Sequence, residues 1–288
     1  MVRSRLSSVL AAVAAASGFA VSTALADQPA TPAFTYQGEL KEAGVPVNGA
    51  KTLRFRLFDA AGRLVVFQKV AADGQPVLLD VTDERSIEQA RSFIAGSVGD
   101  SGLAGLVNNA GIAVAGPLEA VPIDDWRRQF EVNVIGQVAV TQAFLPFLRA
   151  GRGRIVNMGS IAGRAAMPLM GPYSASKFAL EAITDALRLE VQQWGIHVSI
   201  VEPGAIATPI WTKSGAKADE LEATASGELA RLYAGVVAGV KTRVAEAAAR
   251  AIPPDAVAQA VTHALTAANP KTRYLVGTDA KFRALMIK

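Results

Sequence analysis

The hydrophobic positions follow two periods, which divide the chain into a β-rich front and an α/β remainder. Leu53, Phe55 and Leu57 alternate with arginines, which is the period of a half-buried strand. Residues 64–70 read as the returning strand of a hairpin, and residues 36–40 as a third strand. We therefore expect a small β meander over residues 27–72, with a domain boundary near 71–74.

From residue 73 to the end, short apolar strands alternate with long helical patterns. This alternation is typical of an α/β fold in which helices cover a doubly wound parallel sheet. The continuous apolar run at 196–201 suits a strand that is buried on both faces. The predicted strands are 76–79, 103–107, 154–158, 196–201 and 273–276, and the predicted helices are 82–98, 123–148, 171–193 and 255–266.

The first 26 residues have the composition of an export signal. Arg3 and Arg5 precede an Ala-rich apolar run that closes with Ala24-Leu25-Ala26, the small-x-small pattern of a signal peptidase site. We expect cleavage there and a periplasmic or secreted product. The alternatives are an uncleaved membrane anchor and, judged by the α/β domain alone, a cytoplasmic protein.

The amino-acid composition excludes several kinds of catalytic and binding site. The chain of 288 residues is 51% hydrophobic, which allows a sizeable core, and it contains no cysteine and two histidines. Thiolate nucleophiles, disulfides and Cys-ligated metals are excluded, and we predict no metal site. The net charge of +4 comes from scattered lysines and arginines without interleaved aromatic residues, so we predict no nucleic-acid partner.

The residues that could take part in catalysis or ligand binding follow the predicted strands. Asp80, Asn108, Ser160 and Gly204 each come just after a different strand. Ligands of open parallel sheets bind beyond the carboxyl ends of the strands, so these residues mark the expected site. Two further candidates, a phenol and an ammonium four residues apart in YSASK (173–177), would share one face of a helix.

Taken together, these segments resemble the short-chain dehydrogenase/reductase family, and within it the retinol and hydroxysteroid dehydrogenases. The resemblance covers residues 75–288 and implies a Rossmann-like sheet. Any one segment is a weak signal, but six in the family's order and spacing are specific. They are LDVTD (79–83), NNAG (108–111), EVNVIG (131–136), NMGSIAG (157–163), YSASK (173–177) and PGAIATP (203–209).

The resemblance implies four catalytic roles. Tyr173 would be the general acid in carbonyl reduction and the base in alcohol oxidation. The Lys177 ammonium and the positive nicotinamide ring would lower its pKa from the ordinary value of about 10. Ser160 would donate a hydrogen bond to the substrate oxygen. Asn133 would hold a water that connects Lys177 to solvent. Read singly, Ser160 is also a loop hydroxyl and Asn133 a core amide.

The resemblance also implies NAD or NADP as cofactor. Asp80 and Val81 would contact the adenine and Asn108 its ribose, although Asp80 also suits a local helix cap. The implied cofactor-binding residues are Asp80, Val81, Asn108, Ala110, Gly111, Tyr173, Lys177, Pro203, Gly204, Ile206 and Thr208.

One expected segment is absent from the sequence. The family begins with a strand and a T-G-x-x-x-G-x-G turn that holds the pyrophosphate, and nothing before Asp80 matches it. We expect an N-terminally incomplete sheet in which the hairpin of residues 52–70 replaces the lost neighbours. The alternative is an exported fusion whose dehydrogenase domain lacks cofactor and is inactive.

The resemblance further implies a small hydrophobic alcohol or carbonyl substrate, retinol- or steroid-like, under a lid formed by residues 210–239. It also implies a homodimer or homotetramer through helices 123–148 and 171–193.

Overall fold

The computed structural model describes strands at residues 33–39, 41–42, 45–46, 52–60 and 63–70, and then residues 75–208 and 227–287. Before Leu79 only the backbone is described. The export signal and most of the expected lid therefore lie outside the described residues.

The β-rich front forms an antiparallel sheet. Its main strands are β1 (Ala33–Glu39), β4 (Thr52–Ala60) and β5 (Arg63–Val70), with the two-residue β2 (Lys41–Glu42) and β3 (Val45–Pro46) pairing with each other. Within this sheet β1 pairs with β4 and β4 pairs with β5, so the predicted hairpin is present. The boundary near 71–74 stays a prediction, since β5 pairs across it with the next strand.

The strand predicted at 76–79 forms, but not in the parallel sheet. This strand, β6 (Gln75–Asp80), pairs antiparallel with β5, from Val65↔Asp80 to Val70↔Gln75. A short connection can only join antiparallel neighbours, whereas parallel strands need a crossover. The hairpin therefore supplies a neighbour for β6. The next strand, Gly105–Asn108, has an outer edge with which no other described strand pairs. The hairpin therefore does not replace all of the neighbours that the incomplete sheet lacks.

The parallel sheet has the order β10-β9-β8-β7. Its strands are β7 (Gly105–Asn108), β8 (Arg154–Met158), β9 (His197–Pro203) and β10 (Arg273–Val276). The register runs from Asn108↔Asn157 to Met158↔Val201 and Val276↔Pro203. The carboxyl ends of all four strands consequently meet at one edge.

Seven helices are described, numbered α1 to α7. They are α1 (Glu84–Val98), α2 (Ile123–Phe130), α3 (Gly136–Gly151), α4 (Gly171–Val191), α5 (Gly227–Ala249), α6 (Asp255–Thr266) and α7 (Thr278–Met286). The predicted helix 123–148 contains a π-helical turn at Glu131–Ile135 between α2 and α3.

One apolar core joins the parallel sheet to its helices. It includes Leu148, Ile155 and Val261, and it extends to Leu79 of β6 and Ile94 of α1. Within the described ranges, no helix combines the length and apolar character needed to cross a membrane.

Candidate active site

Helix α4 carries the phenol and the ammonium of the expected pair. Pro172 lies in the first turn, where its missing N–H costs no hydrogen bond. The Lys177 Nζ is buried, lies 5.8 Å from the centroid of the Tyr173 ring and donates to the Met158 carbonyl at 2.7 Å. The carboxyl end of β8 therefore fixes the lysine that the sequence places beside Tyr173.

Burial shifts the pKa values of both members of this pair. Burial raises the pKa of Tyr173, and the hydrogen bond with the Ser160 side chain opposes that rise. In this structure burial outweighs the favourable contact of the phenolate, and the Lys177 ammonium donates to Met158 O. The expected lowering of the Tyr173 pKa by Lys177 together with the nicotinamide ring stays a prediction. Burial also lowers the pKa of Lys177 to about 8, against a raising effect of Glu181.

Ser160 lies beside Tyr173 because the chain folds tightly after β8. Its Oγ accepts from Ala162 N at 3.1 Å and so caps a 3₁₀ turn at Ile161–Gly163. A Cβ at Gly163 would lie 2.8 Å from the Lys177 carbonyl oxygen, so only glycine lets this turn approach α4 so closely. The turn thereby sets Ser160 against Tyr173.

Asn133 lies in the π-helical turn and is fully buried. Its Oδ1 accepts from Ile112 N at 2.8 Å, and its Nδ2 donates to Ile112 O at 2.9 Å and to Ser176 Oγ at 3.1 Å. The side chain ties the segment after NNAG to α4, as a satisfied core amide does. Its role in holding a water stays a prediction.

Gln129, one turn before Asn133, was not predicted. It is also fully buried; its Oε1 accepts from Val114 N at 2.7 Å and its Nε2 donates to Ile112 O at 2.9 Å. A weaker contact of 3.3 Å reaches Ser176 Oγ. The one available sequence signal was a glutamine four residues before Asn133, on the same helical face.

The Asn108 side chain points into the protein, not toward a ligand. Its Nδ2 donates to Thr141 Oγ1 at 2.8 Å and to Asn157 Oδ1 at 2.9 Å, and Asn157 in turn donates to Thr184. This buried ladder links β7, β8, α3 and α4. The contact of Asn108 with a cofactor ribose stays a prediction.

Asp80 makes local hydrogen bonds but does not cap α1, so its alternative interpretation as a helix cap is wrong. Its Oδ1 accepts from the Thr82 N at 2.9 Å and from the Thr82 hydroxyl at 2.7 Å, while Asp83 caps α1. Val81 packs against the start of α3, where a Cβ on Gly136 would meet its carbonyl oxygen at 2.6 Å. The adenine contacts of Asp80 and Val81 stay predictions.

The loop after β9 is held by a residue that the sequence did not indicate. Gly204 N donates to Val276 O at 2.9 Å and Ala205 N donates to Asp279 Oδ2 at 2.8 Å. A Cβ on Gly204 would clash with the Asp279 carboxylate, so a larger residue there would displace that side chain. Asp279 thus fixes the loop that carries Pro203, Ile206 and Thr208.

The nicotinamide half of a dinucleotide fits this edge. The Lys177 ammonium has three N–H donors, of which one goes to Met158, so others can serve ribose hydroxyls. A Cβ on Gly111 would lie 3.8 Å from Nζ, so glycine leaves the space in front of the ammonium open, next to Ala110. Lys177, Ile206 and Thr208 would hold this half. The phosphate half has no counterpart in the sequence before Asp80.

Comparisons with known proteins agree with this geometry. The family model described as short chain dehydrogenase matches residues 60–219, more than half of the chain. Retinol dehydrogenase 5 from Homo sapiens is 41% identical over 226 residues, covering 74% of this chain and 69% of that protein. The NADPH-dependent 3-dehydrocapnine reductase from Ornithobacterium rhinotracheale is 39% identical over 216 residues, covering 73% and 74%.

A solved structure shares the fold. The short-chain dehydrogenase from Burkholderia cenocepacia in complex with NADP superposes with a TM-score of 0.54 at 26% identity, covering 73% of this chain and 71% of that one. The family match begins at residue 60, within β4 and ahead of the expected boundary. The chain therefore belongs to the short-chain dehydrogenase/reductase family, as an oxidoreductase that uses NAD or NADP on small alcohol or carbonyl substrates.

Proposed function

We propose that this protein interconverts a hydrophobic secondary alcohol and its carbonyl compound, with Tyr173 as the proton donor and acceptor. The observation that carries this proposal is the arrangement around α4. The Tyr173 side chain is hydrogen-bonded to Ser160, and the buried Lys177 ammonium lies 5.8 Å from its ring. These are the three groups that alcohol–carbonyl chemistry needs at one carbon–oxygen bond.

The chain's own residues would act on the substrate oxygen. In reduction, the Ser160 hydroxyl donates a hydrogen bond to the carbonyl oxygen as negative charge develops there, and the Tyr173 hydroxyl delivers the proton. The Lys177 ammonium stabilises the resulting phenolate. In oxidation the phenolate removes the hydroxyl proton. The dinucleotide, when bound, supplies or accepts the hydride at the carbon.

A retinol- or steroid-like substrate is supported by the relatives. Retinol dehydrogenases 5, 7 and 16 are among the proteins that resemble this chain, at 36–41% identity. The expected lid, residues 210–239, includes the first part of α5, on which Leu232 and Val236 are exposed. A long apolar molecule would bury such side chains, which favours this substrate class over a small polar alcohol.

Cofactor binding provides the first test. We would titrate the purified protein from Asp27 onward with NADH and with NADPH and follow nicotinamide fluorescence. Saturable binding is expected, and Lys177→Ala or Thr208→Ala should abolish it, since each removes a group that would hold the nicotinamide half. Binding that is unaffected by either substitution would contradict the assignment of these residues.

Turnover then tests the role of Tyr173. The probe is a 3-ketosteroid, whose reduction by NADH or NADPH gives a secondary alcohol, with all-trans-retinal in parallel, whose reduction gives a primary alcohol. Tyr173→Phe should keep cofactor binding and lose at least about 100-fold in kcat, the usual size of a general acid–base contribution. An equally active Tyr173→Phe variant would disprove the proton-transfer role.

The second candidate is that the dehydrogenase domain folds but does not bind cofactor and is inactive. It is supported by the missing T-G-x-x-x-G-x-G segment and by the outer edge of β7, which has no partner among the described strands. Absence of binding at millimolar cofactor, in protein shown to be folded, would favour this candidate.

We further propose two properties that do not depend on activity. The first is export through residues 1–26, for which N-terminal sequencing of the mature protein should begin at Asp27. The second is a homodimer or homotetramer through helices 123–148 and 171–193, supported by exposed apolar side chains on them such as Ile135, Phe178 and Leu189.

A further inference from the structure

A pair of buried carboxyl groups lies behind Lys177 and takes no part in the chemistry described above. Glu181 follows Lys177 by one turn of α4, and Glu202 lies at the end of β9 with its side chain fully buried. Helix α4 packs directly on β9, which brings the two carboxyl groups face to face.

The surrounding cations do not satisfy this pair. Arg273 Nη2 contacts Glu181 Oε2 at 3.1 Å, but its Nε lies 3.9 Å from Glu202 Oε1, and Arg164 Nε lies 3.8 Å from the same oxygen. Both distances to Glu202 exceed a hydrogen bond. Glu181 Oε1 and both Glu202 oxygens are buried and accept no hydrogen bond from an N–H or a hydroxyl.

Two adjacent buried carboxylates destabilise each other in such a place. A buried charge that lacks hydrogen bonds is costly, and a like charge beside it adds to that cost. A proton on Glu181, donated to Glu202, would remove one charge and satisfy two of the three oxygens that accept no hydrogen bond. The geometry and burial therefore favour a carboxylic acid–carboxylate pair.

Four other charged side chains surround the pair, together with Lys177. On α4, Lys177 lies on one side and Asp185 with Arg188 on the other; Asp185 Oδ2 contacts Arg273 Nη2 at 2.6 Å. Arg273 comes from β10, and Arg164 follows the 3₁₀ turn. Lys177 is the cation that has no carboxylate contact of its own, because its Nζ donates to Met158 O.

We propose that Glu181 is a positioning residue of the reaction proposed above: it shares one proton with Glu202, releases that proton as the solution becomes alkaline, and its negative charge then keeps Lys177 in the ammonium form. Glu181 acts through Lys177 and contacts neither substrate nor cofactor. The inference rests on the proposed function for its relevance to turnover, but the coupling itself can be measured without turnover.

The effect of Glu181 on the charge of Lys177 follows from opposite shifts of their pKa values. Burial and Glu202 raise the pKa of Glu181 to about 8, and burial lowers that of Lys177 to about 8. Near that pH, loss of the proton from Glu181 adds a negative charge one turn from Lys177, which favours the ammonium. Lys177 therefore stays charged to a higher pH than it would beside a neutral residue.

The test is the titration of Lys177 in the protein labelled with ¹³C at the lysine Cε, with the Lys177 signal assigned from its loss in Lys177→Arg. In Glu181→Gln the Lys177 midpoint should fall by about 0.5–1 pH unit, the effect of one nearby charge. The control is Glu190→Gln, the same substitution at an exposed position of the same helix, which should leave the midpoint unchanged. Equal midpoints in Glu181→Gln and Glu190→Gln would overturn the proposal.

A second variant guards against misfolding of the first. Glu202→Gln removes the like charge, so Glu181 should ionise at lower pH and the Lys177 midpoint should stay the same or rise. A fall in Glu202→Gln would contradict the proposal. The infrared carbonyl band of a protonated carboxylic acid should be present at pH 7 in the wild-type protein and absent from Glu181→Gln. A wild-type spectrum without this band would also contradict the proposal.

The same samples separate the two proposals. If neither NADH nor NADPH binds but the Lys177 midpoint falls in Glu181→Gln, the coupling stands and the proposed function fails. If either of them binds and the midpoint is unchanged, the coupling fails and the proposed function stands. Where turnover is measurable, the alkaline limb of the kcat/KM profile should move to lower pH in Glu181→Gln by the same amount as the midpoint.

Discussion

At the scale of single residues, the sequence identified the groups on the surface of the site better than the groups behind them. The spacing within YSASK placed Tyr173 beside Lys177 on one helix, and the resemblance to the family placed Ser160 of NMGSIAG with them. The partners of Asn133 and Asn108 could not be predicted, since each hydrogen bond joins residues 21 to 49 positions apart. The pKa of Tyr173 depends on burial, which the packing of the whole site decides.

Gln129 is one of the buried groups behind the site, and its contribution to stability can be measured. Gln129→Ala should lower the free energy of unfolding by about 2–4 kcal/mol, because it removes two hydrogen bonds and leaves Val114 N–H buried without a partner. Urea unfolding measures this. Gln192→Ala, at an exposed position after α4, should change the stability by less than about 0.5 kcal/mol. Similar values for the two variants would refute a structural role for Gln129.

At the scale of elements, predictions were best where a strand or helix has one face in the core. The bounds predicted for β8, α6 and β10 are confirmed to the residue. Helix α5 was not recognised, because its Ala-, Gly- and Val-rich sequence has no buried residue among those described and so lacks a clear apolar stripe. The π-helical turn was missed for another reason, since the hydrophobic pattern continues through it.

The contact between the 3₁₀ turn and α4 makes a prediction at this scale. Gly163→Ala places a Cβ 2.8 Å from the Lys177 carbonyl, so the turn must move away from α4 at a cost of about 1–3 kcal/mol. Ser160 moves with it, and kcat should fall more than cofactor affinity. Gly96→Ala on α1, whose Cβ would meet no atom within 4 Å, should be neutral or stabilise by up to about 1 kcal/mol. Thermal unfolding and turnover of both variants provide the comparison.

At the scale of the whole molecule, the membership of each strand in a sheet was the hardest feature to predict. The apolar pattern of β6 is the same whether it pairs parallel or antiparallel, because alternation and burial carry no information about partners. What decides the outcome is the preceding hairpin, which lies next to β6 in the chain. The parallel direction of β7 to β10 was predicted because a helix separates each of these strands from the next, whereas their order was not predicted.

Assembly is the last property at this scale, and two leucines of equal exposure allow a matched test. Leu189 on α4 and Leu285 on α7 are each 68% exposed, but only Leu189 belongs to the helices proposed as the interface. Light scattering should give a mass near two or four times the 30.0 kDa chain mass for the parent protein. Leu189→Glu should lower that mass towards the monomer, because an ionised side chain would be desolvated in an apolar contact. Leu285→Glu should leave it unchanged. A parent protein that is monomeric, or a Leu189→Glu variant with the parent's mass, would show that these helices face solvent and that the exposed side chains along them serve no contact between copies.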